Sequence, residues 1–282
     1  MSDNKVKIKE LEKRANQIRR LVIEMIARAG SGHPGGSLSS TEIITCLYFS
    51  VLNHNPKDPQ WPDRDRFHLS KGHCCPALYA ALALSGYFNI DQLWTLRKFG
   101  SILQGHPDRC TPGVEVASGS LGQGLGVALG MALASKMDRK QWRVYCLMGD
   151  GEIQEGNVWE SAMACSHFKV DNLCAIVDYN HFQIDGKVEE IMNLQPLPER
   201  WSSFGWHVIC CDGHNIEKLL DAFREASSVK GKPTVIIAET IKGKGVSFME
   251  NVVDFHGRAP TLEEKEQALK ELEEKEREEE SF

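Results

Sequence analysis

Apolar residues recur at Ile8, Leu11, Ala15, Ile18, Val22, Met25 and Ile26. Steps of three and four put them on one face of a helix, and Gly30 is a natural stop for it. The run 31–36, SGHPGG, reads as a glycine-rich loop. Ser39, Ser40 or Thr41 then offers a cap for a second helix through about Leu52. Residues 53–65 are rich in Pro, Asp and Asn and predict a surface loop, with a short strand at 66–70. Lys71-Gly72-His73 leads into a small-residue helix over 76–85. Residues 101–119 lack periodicity and read as a long ordered loop. The segment 121–135, with Gly122, Gly124, Gly126 and Gly130, predicts a helix that packs close to its neighbours.

A rhythm follows. Residues 144–148, 173–177, 207–211 and 234–238 are continuous apolar runs, with helical patterns at 155–167 and 216–227 between them. Continuous runs are the mark of strands covered on both faces, and strands alternating with helices build a parallel sheet. The expected fold class is α/β, a three-layer α/β/α arrangement around a central, mostly parallel sheet. One domain is expected over 1–262. The segment 263–282 reads as an acidic tail, a partly solvated helix whose apolar stripe is only Leu262, Leu269 and Leu272.

Composition narrows the function classes. With 282 residues, 41% hydrophobic and 26% charged, the chain has material for a sizeable core. No apolar stretch approaches the ~20 residues that cross a bilayer, and the polar start MSDNKVKIKE is unlike a signal peptide. A cytoplasmic chain with no membrane partner is expected. The net charge of −6 resides in 263–280, where ten Glu face four Lys or Arg; the rest balances. A neutral body offers no field for nucleic acid. The nine Cys form no CxxC motif and fit neither a disulfide framework nor a zinc ribbon, so they read as small buried apolar residues.

The segment Gly149-Asp150-Gly151-Glu152 follows directly on the strand at 144–148. Ligands of open parallel sheets sit beyond the carboxyl ends of strands, and flanking glycines let the backbone approach a bulky anion. The next strand leads into Asp178-Tyr179-Asn180. If the two strands are neighbours, Asp150 and Asn180 share one crevice. A carboxylate and an amide oxygen are hard ligands, and with phosphate oxygens and water they suit octahedral Mg²⁺. Alone, the pair is a weak signal, which an ordinary βα turn and an unrelated Asn would also give.

The wider context decides between these. GDGEIQEGNVWE with a later DYN resembles the diphosphate-and-metal motif of thiamine-diphosphate enzymes. SGHPGGSLS, DRDRFHLSKGH, GHPD, GVEVASGSLGQGLGVALG, TIKGKGVSF and FHGRAP resemble blocks of transketolase, in transketolase order, from about Ile18 to Pro260. The resemblance is confined to the N-terminal, diphosphate-binding domain. The pyrimidine-binding and C-terminal domains, with their cofactor-activating glutamate and sugar-phosphate ligands, have no counterpart here.

The resemblance therefore implies the N-terminal subunit of a split transketolase. Such an enzyme transfers a two-carbon glycolaldehyde unit from a ketose phosphate donor to an aldose acceptor. Thiamine diphosphate and Mg²⁺ (or Ca²⁺ or Mn²⁺) would be its cofactors. A C-terminal subunit would be its partner, and because the family's sites lie at subunit interfaces, an α2β2 complex is implied. The same resemblance implies metal ligands Asp150, Asn180 and the Phe182 carbonyl, with Gly151 at the diphosphate. Gly119, Ser120 and Leu121 would lie against the cofactor, with Lys242 nearby. His33, His106 and His256 would contact the ketose or its covalent cofactor adduct, and His73 the diphosphate. An imidazole suits proton transfer because its ordinary pKa of ~6.5 is near neutrality. Glu155 would join a hydrogen-bonded network between subunits, while Glu160 reads as structural. Two departures stand out: Gly35-Gly36 replaces a hydroxyl residue of some members, and Phe182 is large for its place.

Three rival readings remain. One is another thiamine-diphosphate enzyme, such as a deoxyxylulose-phosphate synthase relative, which SGHPGG, LSKGH and FHG disfavour. The second is a split transketolase for an unusual, sulfonated or branched sugar. The third is a cofactor-binding subunit without catalysis.

Overall fold

The computed structural model describes residues 2–280. Its strands are β1 (Arg66–Leu69), β2 (Val144–Gly149), β3 (Leu173–Tyr179), β4 (Phe182–Gln183), β5 (Gly186–Lys187), β6 (His207–Asp212) and β7 (Thr234–Glu239). Five of them form one parallel sheet in the order β1-β2-β3-β7-β6, and β4 and β5 make a small antiparallel hairpin. The helices are α1 (Ser2–Ala29), α2 (Pro34–Ser39), α3 (Thr41–Cys46), α4 (Cys75–Ser85), α5 (Gly124–Met137), α6 (Gly156–His167), α7 (Val188–Ile191), α8 (Leu197–Ser203), α9 (Ile216–Ser228) and α10 (Leu262–Glu280).

Side chains alternate between the two sheet faces. Tyr145, Leu147, Cys174, Ile176 and Ile236 join a core with apolar residues of α1, α3, α4 and α9. Cys146, Met148, Ala175, Val177 and Val235 join a second core with α5, α6 and α8. Both faces are thus dry, which is why β2 and β3 read as continuous apolar runs. The expected three-layer α/β/α fold is the one found. In register, Gly149 sits beside Asp178, and Asp178 beside Ala238. The carboxyl ends of β2, β3 and β7 therefore stand side by side.

Several local expectations need correction. The loop expected over 31–36 ends at His33, because Pro34 starts α2; proline's fixed φ and missing N–H suit a first helical position. The single helix expected to Leu52 is α3 continued by a π-helical turn, Leu47–Val51. Helix α5 begins at Gly124, after Gly122 at φ +83°. Strand β6 is an edge strand, only half covered, so its apolar run does not mark two buried faces. Cys110 and Cys210 are exposed, against the expectation of buried cysteines. The acidic segment, by contrast, is a partly solvated helix as expected: Ala268 and Leu272 of α10 are covered, and the Asn16 amide of α1 donates to the Leu272 carbonyl at 3.0 Å. Leu262 stays exposed.

Candidate functional site

The turn after β2 presents Asp150, and the turn after β3 presents Asn180; both are buried. Asp150 accepts backbone N–H bonds from Gly151 (2.8 Å) and His181. The second bond comes from a residue at φ +69°, a conformation rare where a Cβ is present. The Asn180 side-chain oxygen accepts from the Phe182 N–H at 3.1 Å, closing an Asx turn. Among the described residues Asp150 has no ion-pair partner. Burial, reinforced by Asp178, pushes its carboxyl up to about 7. A buried carboxylate with no cation bonded to it among the described residues, together with the Asn180 amide oxygen and the Phe182 carbonyl on the adjoining turn, offers hard-oxygen groups that suit a divalent cation.

Beneath these ligands lies a buried polar network that the sequence reading passes over. Asp178 pairs with Lys71 and accepts from the hydroxyls of Thr240 and Ser39. Burial opposes the charge on Asp178, but Lys71 outweighs it and holds the carboxyl below its usual range. The Asn180 amide donates to the Ser39 oxygen at 3.3 Å, so this network also fixes which way Asn180 faces. Glu152 accepts from the Gly149 and Gly122 N–H groups, each at 3.0 Å, and from the Ser70 hydroxyl. It ties the loop carrying Gly119, Ser120 and Leu121 to the Asp150 turn. Those three residues are themselves exposed. The signals for the network are present in the chain: Lys71 in LSKGH, Glu152 in GDGE and Asp178 in DYN.

Lys242 follows β7 and is 1% exposed, not a surface lysine on a glycine-rich turn. Its amine lies 2.9 Å from His256 Nδ1 and donates to the Phe182 carbonyl at 3.3 Å. Burial, with help from Lys71, pushes it down to about 8. The Lys242 stem explains Gly35: a Cβ there would lie 3.0 Å from Lys242 Cγ and 2.9 Å from the Phe255 carbonyl oxygen. At Gly36 a Cβ would meet Cys74 Sγ at 2.6 Å.

Three of the four expected histidines form a cluster. Ring centroids are 5.1 Å apart for His33 and His73, 5.3 Å for His73 and His256, and 5.6 Å for His33 and His256. Burial first, then nearby cations, holds His33 at about 4 and His256 at about 3. His73 is held well below its ordinary value by burial and Lys71. Near neutrality these rings are uncharged, able to accept a proton at one nitrogen and donate at the other. His33 Nδ1 is buried and has no hydrogen-bond partner among the described residues. His106 is more exposed and lies against Gly119, whose Cβ would sit 3.4 Å from its ring at φ +147°. Phe182 is half-buried, and Glu155 is exposed at the start of α6.

The family model described as "Transketolase, thiamine diphosphate binding domain" matches residues 11–277. The chain belongs to the transketolase family. It is 48% identical over 265 residues to the 6-deoxy-6-sulfo-D-fructose transketolase subunit SqwG of Clostridium sp. (strain MSTE9), covering 94% of this chain and 96% of that protein. It is 43% identical to an apulose-4-phosphate transketolase subunit of Phocaeicola vulgatus, with 96% of each covered. The crystal structure of transketolase from Campylobacter jejuni superposes with a TM-score of 0.88 at 35% identity, over 94% of this chain. This chain spans only 42% of that transketolase. No helix among the described residues is long and apolar enough to cross a membrane.

Proposed function

We propose that this chain is the N-terminal subunit of a two-subunit transketolase. It would anchor thiamine diphosphate and a divalent metal for transfer of a glycolaldehyde unit from a ketose phosphate to an aldose. The observation that carries the reading is the convergence of Asp150, Asn180, the Phe182 carbonyl, Lys242 and three histidines beyond the carboxyl ends of β2, β3 and β7. Asp150, Asn180 and the Phe182 oxygen would hold Mg²⁺ (Ca²⁺ or Mn²⁺ substituting), and Lys242 would meet the diphosphate charge. When bound, thiamine diphosphate supplies the electron sink that breaking a carbon–carbon bond beside a carbonyl requires.

This chain's own part is to position and to move protons. Gly151, where a Cβ would press to 3.0 Å from Gln183 Cβ, would lie by the diphosphate, and Glu152 ties the Gly119–Leu121 loop to the Asp150 turn. His33, His106 and His256 would exchange protons with the ketose hydroxyls, and His73 would sit by the diphosphate. Held uncharged, each ring would offer one nitrogen that accepts and one that donates a hydrogen bond to the substrate. The intact cluster disfavours a subunit without catalysis.

The partner would be a chain carrying the pyrimidine-binding and C-terminal domains, two copies of each, in the cytoplasm. Relatives of similar length named as subunits support a partner. Glu155, exposed beside Gly122, would serve the contact between subunits. A second reading, a specialised enzyme for a sulfonated or branched sugar, is favoured by the sugars in those relatives' names. The test is ketose cleavage with thiamine diphosphate and Mg²⁺, comparing donors that carry phosphate, sulfonate and a branched carbon.

A further inference from the structure

The loop that carries Lys242 is held at both ends by one buried relay outside the site. Arg19 of α1 pairs with Glu42 of α3 and also donates from Nε to the Lys244 carbonyl at 3.0 Å. The other Glu42 oxygen lies 3.0 Å from His214 Nδ1. His214 Nε2 accepts the N–H of Ile241 at 2.8 Å. Side-chain exposures of 9%, 8% and 12% for Arg19, Glu42 and His214 put all three largely out of solvent. Because Nε2 accepts, Nδ1 must carry the proton and donate to Glu42. The relay therefore has one direction and one tautomer. It fixes the residue before Lys242 and the second residue after it.

We propose that Arg19, Glu42 and His214 are positioning residues that set the Lys242 amine against the diphosphate of the cofactor. This rests on the proposed function, in which Lys242 meets that diphosphate. Two features make the loop depend on such a clamp. Gly243 and Gly245 stand at φ +79° and +99°, so the loop itself is built from the residues with the widest backbone freedom. The relay meets the loop directly at one of them: a Cβ at Gly245 would lie 3.0 Å from Arg19 Cδ. Burial pushes the Glu42 carboxyl up, but Arg19 and then His214 outweigh it and hold it at about 2. Glu42 is thus a permanent anion holding both neighbours.

The test is a double-mutant cycle read as the dissociation constant of thiamine diphosphate in excess Mg²⁺, by calorimetry on the full chain. His214→Asn places its amide near Nδ1, keeping Glu42 and losing Ile241; His214→Gln reaches the Nε2 position and keeps Ile241. The expected result is about tenfold weaker binding for H214N, near-native binding for H214Q, and at most a twofold effect of H214N in a Lys242→Met background. Equal losses for H214N with and without Lys242, or equal losses for H214N and H214Q, would overturn the positioning role. If K242M itself binds as tightly as the native chain, the reading of Lys242 fails first and the relay proposal falls with it. Melting temperatures of all variants separate lost folding from lost positioning: if H214N is unfolded, Glu42→Gln replaces it, with about tenfold weaker binding expected in the native background and at most a twofold effect with Lys242→Met, and equal losses in both would overturn the role; if H214Q is unfolded, the cycle with Lys242→Met decides alone.

Discussion

Lys242 Nζ lies 2.9 Å from Nδ1 of His256, so an amine and an imidazole share one small buried space. Neither has a carboxylate bonded to it among the described residues; the other partner of the amine is the Phe182 carbonyl. The neutral ring accepts from the amine and leaves the lysine without a bonded carboxylate, so in the proposed function the amine is free to meet the diphosphate. Replacing Lys242 by Met should weaken thiamine diphosphate binding at least tenfold and leave the melting temperature nearly unchanged or raised. Calorimetric titration and a melting curve on the same preparation check both halves.

The Asp150 carboxylate is buried with only two N–H partners among the described residues, and a divalent cation is what its remaining lone pairs suit. Asp150→Asn keeps the shape and removes the charge. Metal-dependent cofactor binding should fall by a hundredfold or more, while the metal-free chain melts within a few degrees of the native one. Chelation of the native chain with EDTA should reproduce the binding loss, and Mg²⁺ should restore it.

In the proposed function His33, His106 and His256 have a separate role, in proton transfer. Alanine at each should lower turnover about a hundredfold or more in the assembled enzyme, the scale of general acid–base catalysis. Cofactor affinity should change by less than the Asp150 or Lys242 variants change it. Parallel measurement of turnover and cofactor dissociation constant separates the two groups.

His68 gives a stability prediction independent of the chemistry. It lies on β1, 4% exposed, and burial alone lowers it to about 4. The folded state resists its protonation, while the unfolded chain takes a proton near 6.5. Its contribution is therefore fully present above pH 6.5 and is lost as pH falls from 6.5 towards 4. The loss amounts to about 3 kcal/mol. His68→Gln should flatten the fall in unfolding free energy across that window by about this amount, read from denaturant melts at pH 7 and pH 4.5.

Much of the fold can be read from the chain. The runs at 144–148 and 173–177 mark strands because both faces of β2 and β3 are covered, and covering both faces removes polar alternation. Asp150 and Asn180 stand out because glycines and strand ends announce a crevice. What is hidden depends on tertiary contact. Nothing local in IEMIARAG or SGHPGGSLS says that Pro34 opens a helix whose glycines accommodate Lys242 and Cys74. Lys71 and Asp178 are 107 residues apart, and only the sheet order brings them together. The tail's charge does not reveal which residues seat it: Ala268 and Leu272 are covered, and Asn16 and Arg20 of α1 reach the Leu272 carbonyl and Glu276.

The most direct test measures ketose cleavage by the purified chain with thiamine diphosphate and Mg²⁺, alone and mixed with a subunit carrying the pyrimidine-binding and C-terminal domains. Cofactor binding without turnover is expected of the chain alone, and turnover that Asp150→Asn abolishes is expected of the mixture. Full turnover by the isolated chain, or a reconstituted complex indifferent to Asp150→Asn, would overturn the proposed function.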